Sequence, residues 1–202
     1  MPAAVSDGWS DRRRASEDEY FRRRDQELVE RIRLRAEDEA AFRRLAEAAG
    51  MDDEDILQKL QRLGYTAETV TLLYVVPLID VAWADGTVSE PERDVIIAAA
   101  RARGVEAGSH ADLQLAQWLS NRPSSVLSDG TLHVLAVIMM QRHSSDAGAR
   151  SAAAQELFNS CKAVASASGG ILGFRTISDT EQRALDRIAY ELERKGAPSS
   201  HL

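Results

Sequence analysis

Pro77-Leu78-Ile79-Asp80-Val81-Ala82-Trp83-Ala84-Asp85-Gly86, followed by Thr87-Val88-Ser89-Glu90-Pro91-Glu92, is the stretch whose reading decides the fold. Upstream and through it, Leu72, Val76, Ile79 and Trp83 recur at helical spacing, while Leu73, Pro77, Asp80 and Ala84 share another face. Gly86 stops this helix. Ser89-x-x-Glu92 opens the next, with the spacing at which a Ser hydroxyl accepts from the N3 amide while the Glu reaches back to the cap amide. Val88, just before the cap, can staple onto the new helix, and Glu90 and Glu92 complement its positive end. The stretch is therefore a helix-turn-helix corner.

A second copy lies downstream: Val164-Ala165-Ser166-Ala167-Ser168-Gly169, then Ile177-Ser178-Asp179-Thr180-Glu181, with six extra residues between its halves. Outward from the first corner, Thr66 is expected to cap a helix over Ala67–Ala84, kinked where the interior Pro77 lacks an N–H. Further helices are expected over Glu90–Arg103, Ser109–Leu119, Gly130–His143, Gly148–Ala167 and Asp179–Lys195. Strand-like alternation is confined to Ile171–Ile177, inside a glycine-containing connection. The fold class is all-α.

Before the corner, the first 47 residues carry 11 Arg and 12 acids, with no Gly or Pro from Asp11 to Ala49. Acids sit three or four residues before arginines, as in Glu19/Arg22 and Glu27/Arg31, so a long charged helix is expected there. Its stripe of Leu28, Val29, Ile32 and Ala36 is thinner than an ordinary core-facing face. Two readings stay open: a solvated helix, or one that binds a partner or a second copy of the chain. Gly50 ends it. Asp52 or Asp53 can cap a short helix bearing Ile56, Leu57, Leu60 and Leu63, which Gly64 closes. The expected organisation is a charged extension over 1–50, a short connecting helix over 51–65, a helical domain over 66–195 and a flexible tail over 196–202.

Composition narrows the function classes. At 202 residues the chain can bury one sizeable core, and 25 basic against 32 acidic side chains leave a net charge of −7. That charge opposes general polyanion binding, and the Arg12–Arg14 and Arg22–Arg24 triplets are diluted by Glu17, Asp18, Glu19, Asp25 and Glu27, so no nucleic-acid partner is expected. Met1 to Arg14 has no apolar export segment, and the runs Leu72–Ala84 and Leu132–Met140 are too short to cross a bilayer, so no membrane insertion and a cytoplasmic location are expected. The lone Cys161 excludes an internal disulfide and reads as a buried apolar side chain. His110, His133, His143 and His201 form no HExxH or i,i+4 pair, which argues against zinc. Gly169-Gly170-Ile171-Leu172-Gly173 lacks the GK[ST] ending of a phosphate loop and reads as a helix stop.

The run Pro77–Gly86 with Ser89-x-x-Glu92, together with Val164–Gly170 and Ser178-x-x-Glu181, resembles the tellurite-resistance TerB family over about residues 66–195. The charged helix before it is similar to amino-terminal extensions of some bacterial TerB-like proteins. The resemblance implies a bundle of about seven helices in two pseudo-symmetric halves. It also implies a link to stress and tellurite resistance, acidic residues proposed to bind divalent metal, and complexes at the inner face of the membrane. It supplies no reaction.

The residues themselves raise the cation question at the first corner, where Asp80, Asp85, Glu90, Glu92 and Asp94 cluster in sequence. Setting Gly86 at position 6 of an EF-hand loop puts Asp85 at 5, Ser89 at 9 and Glu92 at 12, but Val81 and Trp83 at 1 and 3. Half of the ligands are missing. If a cation (Ca²⁺, Mg²⁺ or Mn²⁺) binds, Asp85 and Glu92 carry it, with Asp80 as the third ligand. The opposing expectation is that Glu92 folds back to Ser89, Asp85 accepts amides of its own turn, and Asp80, an acid inside an apolar helix, pairs with an Arg. No nucleophile or paired-acid constellation marks an enzyme. The expected function is a non-enzymatic, stress-linked interaction scaffold with protein partners and an acidic cation site. The alternative is a metal-free adaptor that binds or dimerises through its amino-terminal helix.

Overall fold

The computed structural model describes residues 7–142, 146–167 and 177–193. Among them there are eight helices, two 3-10 turns and no strand, so the chain is of the all-α class. It divides into two compact units, residues up to Arg43 and residues from Arg44 onward.

The first unit is most of α1, Asp7–Ala49. Every described side chain from Arg22 to Glu39 is exposed, including Leu28, Val29, Ile32 and Leu34. The helix is supported along its own surface. Arg23 pairs with Glu19, and Arg33 Nε donates to Glu37 Oε1 at 2.9 Å, both across one turn. Exposed pairs of this kind contribute about 0.3–0.5 kcal/mol each.

The second unit begins with the last turns of α1, where Leu45 is buried. Helix α2, Glu54–Arg62, starts at Asp53, whose carboxylate accepts from the Ile56 amide at 2.9 Å and from Gln141 Nε2 at 2.7 Å. These bonds, the Ile56 amide foremost, hold the Asp53 carboxyl below the usual carboxylate range. Ile56, Leu57 and Leu60 are buried, so this short segment is part of the core.

The expected helix over Ala67–Ala84 is instead two pieces. A 3-10 turn, Val70–Tyr74, leads into α3, Val76–Ala82, with Pro77 in the first helical turn. Proline is tolerated there because the missing N–H would have no intrahelical acceptor, so Pro77 opens a helix rather than kinking one. Thr66 caps no helix: its amide donates to Thr69 Oγ1 at 3.0 Å and its carbonyl accepts from Val70. A second 3-10 turn, Trp83–Asp85, ends at Gly86 with φ +100°, a left-handed conformation that a Cβ would strain.

Helices α4 (Glu90–Ala102), α5 (His110–Ser120), α6 (Ser125–Arg142), α7 (Ala147–Ala167) and α8 (Asp179–Glu193) complete the bundle. Helix α6 begins five residues earlier than expected and runs through Gly130. The reason is tertiary: a Cβ on Gly130 would lie 2.6 Å from Leu63 Cδ2, so the glycine admits α2 against α6 rather than starting a helix. Helix α3 packs on α4, α6, α7 and α8. It is apolar on all sides because it is enclosed: Val76 to Ile79, Val81 and Ala82 are buried. Ile79, Val134, Leu135 and Ile138 share this core as expected, while Trp83 is half-buried at its edge. Most of the strand candidate Ile171–Ile177, the Gly169–Gly173 run, His143 and the 196–202 tail lie outside the described residues.

Candidate functional site

Both corners close with the same device. At the first, the Ser89 hydroxyl accepts from the Glu92 amide at 3.4 Å, and Glu92 Oε2 accepts from both the Ser89 amide and its hydroxyl at 2.7 Å. At the second, the Ser178 hydroxyl accepts from the Glu181 amide at 3.2 Å, and Glu181 Oε2 accepts from the Ser178 amide at 2.7 Å. These reciprocal bonds satisfy amides that the first turn of a helix leaves without partners.

Burial separates these caps from ordinary ones. Glu92 is 1% exposed and Glu181 2%, although both are acids on the first turn of a helix. Burial pushes the Glu92 carboxyl above the usual glutamate range, and the charges of Asp85 and Glu181 push the same way against the hydrogen bonds from Ser89. Glu92 Oε1 is also the one buried side-chain polar atom among the described residues with no hydrogen-bond partner. Spacing marked Glu92 and Glu181 as capping residues. Their burial, and the proximity that lets one charge act on the other, depend on how the two halves pack and have no local signature.

The structure gives each expected cation ligand a partner of its own. Asp85 is exposed, and its Oδ1 accepts from the Thr87 amide at 3.0 Å and the Thr87 hydroxyl at 3.4 Å. Glu92 folds back onto Ser89. Asp80 pairs with Arg187 of α8, and the same guanidinium also holds Asp129 of α6. Arg187 thus ties three helices together and balances the acid inside α3, a role the sequence required of some cation without naming it. Among the described residues, no three His, Cys, Asp or Glu side chains converge so as to hold a metal ion.

Cys161, Trp83 and Arg101 each serve the fold. Cys161 is fully buried, and burial first, with the Asp80 charge adding to it, pushes its thiol up to about 12, so it holds its proton at neutral pH. The Trp83 indole N–H donates to the Trp118 carbonyl at 2.9 Å, joining the first corner to α5. Arg101 Nη2 meets Asp112 Oδ1 at 2.5 Å and closes the α4–α5 hairpin. Among the described residues no helix is long and apolar enough to cross a membrane. Comparison with family models, with curated proteins and with solved structures gives no match.

Proposed function

We propose that this chain is a non-enzymatic interaction scaffold of TerB-like type, in which the bundle is a rigid support and α1 supplies the contact surface for protein partners. The observation that carries the reading is the exposure of α1 from Arg22 to Glu39, with Leu28, Val29, Ile32 and Leu34 each at least half exposed. A helix of this length that leaves its few apolar side chains in water has surface to bury on a partner. The stress and tellurite link rests on the sequence resemblance, and a cytoplasmic location on the net charge of −7 and the single cysteine.

The test is capture of partners from tellurite-stressed and unstressed cells by the full chain and by a full-length Leu28→Ser/Ile32→Ser variant. Partners retained by the unmodified chain and lost by the variant are expected. An identical set on both would remove α1 as the contact surface. Sedimentation of the same pair separates the adaptor from self-association, because a dimer through α1 would dissociate in the variant.

In this reading the corner carboxylates cap helices and no divalent cation is required. Calorimetric titration with Ca²⁺, Mg²⁺ and Mn²⁺ is expected to give no saturable heat up to millimolar ion. A heat that disappears in both Asp85→Asn and Glu92→Gln, with folding intact, would restore the cation.

A further inference from the structure

A pocket of about 470 Å³ lies in the second unit, and none of the corner residues lines it. The final turn of α1, the first 3-10 turn, the residue after α4, and helices α6 and α7 form its walls. Its volume is in the range of small-molecule sites, roughly 300–1,000 Å³. The lining is mostly apolar, with Val70, Leu73, Ile138, Met139 and Leu157 contributing.

Two guanidinium groups share that lining. Arg103 Cζ lies 5.5 Å from the centroid of the Tyr74 ring, a cation–π contact that steadies the group without engaging its N–H donors in the plane. Arg142 donates through Nη2 to the Ala49 carbonyl at 3.1 Å, which leaves its other donors for a ligand. Among the described residues neither has a carboxylate within ion-pair distance, whereas Arg93, Arg101 and Arg187 of the same unit do. Glu156 also lines the pocket, so two cations face one anion and a single positive charge is left over.

We infer that this pocket binds an amphipathic monoanion, an apolar chain ending in one carboxylate, with the chain against α6, α7 and the 3-10 turn and the carboxylate on Arg103 and Arg142. The planar guanidinium fork matches a carboxylate, and the apolar walls match a hydrocarbon tail. An uncharged alcohol of the same length leaves the guanidiniums without a counter-charge. An alkyl phosphate brings a second negative charge against Glu156. This assignment is independent of what α1 contacts.

The test is calorimetric titration of the full chain with decanoate, decanol and decyl phosphate, each below its micellar concentration. It is paired with NMR of ¹³C-methyl methionine, since Met51 and Met139 line the pocket. Saturable one-site binding of decanoate is expected, about tenfold or more tighter than decanol. A loss of about tenfold or more is expected in Arg103→Met and in Arg142→Met, with Arg122→Met, an exposed arginine away from the pocket, unchanged. In the unmodified chain the Met51 and Met139 methyl signals shift on saturation. Any of four results overturns the inference: no saturable decanoate binding at millimolar ligand, equal binding of decanol, tighter binding of decyl phosphate, or methyl signals of Met51 and Met139 that do not move. Should either arginine variant fail to fold by circular dichroism, the ligand series and the methyl shifts of the unmodified chain decide.

Discussion

At the first corner α3 carries Asp80 and leads into Trp83 before its turn; at the second, α7 carries Ala163 and Ser166 in the equivalent places. The caps that follow are alike, with Ser89/Glu92 and Ser178/Glu181 making the same reciprocal bonds and both glutamates buried. The difference lies in the incoming helices, and it follows their surroundings. Helix α3 is enclosed by four others and can hold a polar side chain only where Arg187 meets it, whereas α7 presents Lys162 and Ala163 to water. A cap is a local device, and its reciprocal bonds to the two backbone amides repeat at both corners. The residues ahead of it answer to the position of their helix in the bundle and do not.

Making the first corner resemble the second tests this directly, and the largest effect is expected at Trp83. Trp83→Ser removes a half-buried indole and its bond to the Trp118 carbonyl, and should cost about 3 kcal/mol in denaturant unfolding. A cost below about 1 kcal/mol, the level of an ordinary surface change, would mean that the two corners are interchangeable after all.

Asp80→Ala comes next. The carboxylate is 12% exposed but its partner Arg187 is 41% exposed, so solvent screens the pair and a cost of about 1.5 kcal/mol is expected rather than that of a fully buried bridge. Arg187 keeps Asp129, so the variant leaves no orphaned cation. A double-mutant cycle with Arg187→Ala isolates the pair, and strict additivity would show that the bridge contributes nothing.

Features of short range were legible in the sequence. Ser-x-x-Glu spans three residues, and both copies form the bonds that the spacing demands. The helical course of the bundle followed from apolar periodicity together with caps and stops, and that of α1 from its charge spacing and the lack of Gly or Pro. What escaped was set by contacts distant in sequence. Pro77 read as a kink because burial continues across the junction of the 3-10 turn with α3, so periodicity alone cannot see that the hydrogen-bond ladder restarts at Val76. Gly130 read as a helix start because glycine is a common breaker, whereas Leu63, nearly seventy residues earlier, is what requires it. Asp80 plainly needed a counter-charge, but Arg187 is 107 positions away. For the expected cation ligands, closeness in sequence did not bring convergence, since Asp85 and Glu92 each found a nearer amide to accept.

Removing the caps themselves gives smaller and more nearly equal effects. Ser89→Ala and Ser178→Ala should each cost about 1 kcal/mol, measured by thermal or denaturant unfolding. Each hydroxyl makes a second bond, Ser89 to Glu92 Oε2 at 2.7 Å and Ser178 with Thr180 Oγ1 at 3.0 Å, and Ser89 should be the costlier because its bond is to a carboxyl group. A larger loss at Ser178 would reverse this ordering and put the Thr180 bond ahead of the one to Glu92.

The finest distinction is one of pH. Glu92 is buried with an unpartnered Oε1, and burial first, then Asp85 and Glu181, raise its carboxyl above the ordinary glutamate value of about 4.3. A group that takes its proton more readily when folded makes the native state bind more protons than the unfolded chain between the two pKa values. Its contribution is therefore full below the unfolded value, declines as pH rises through that interval, and is constant above the folded value. Glu92→Gln removes the ionisation while its amide oxygen can still accept from Ser89. The stability of this variant relative to the unmodified chain should therefore rise with pH from about 4.3 and then level off. Asp85→Asn, which removes one of the charges acting on Glu92, should narrow the interval without abolishing it. Unfolding curves collected across that range decide the matter: if Glu92→Gln and the unmodified chain run parallel at every pH, the carboxyl at the first corner titrates as an ordinary surface cap would, and the two corners differ only in the helices that enter them.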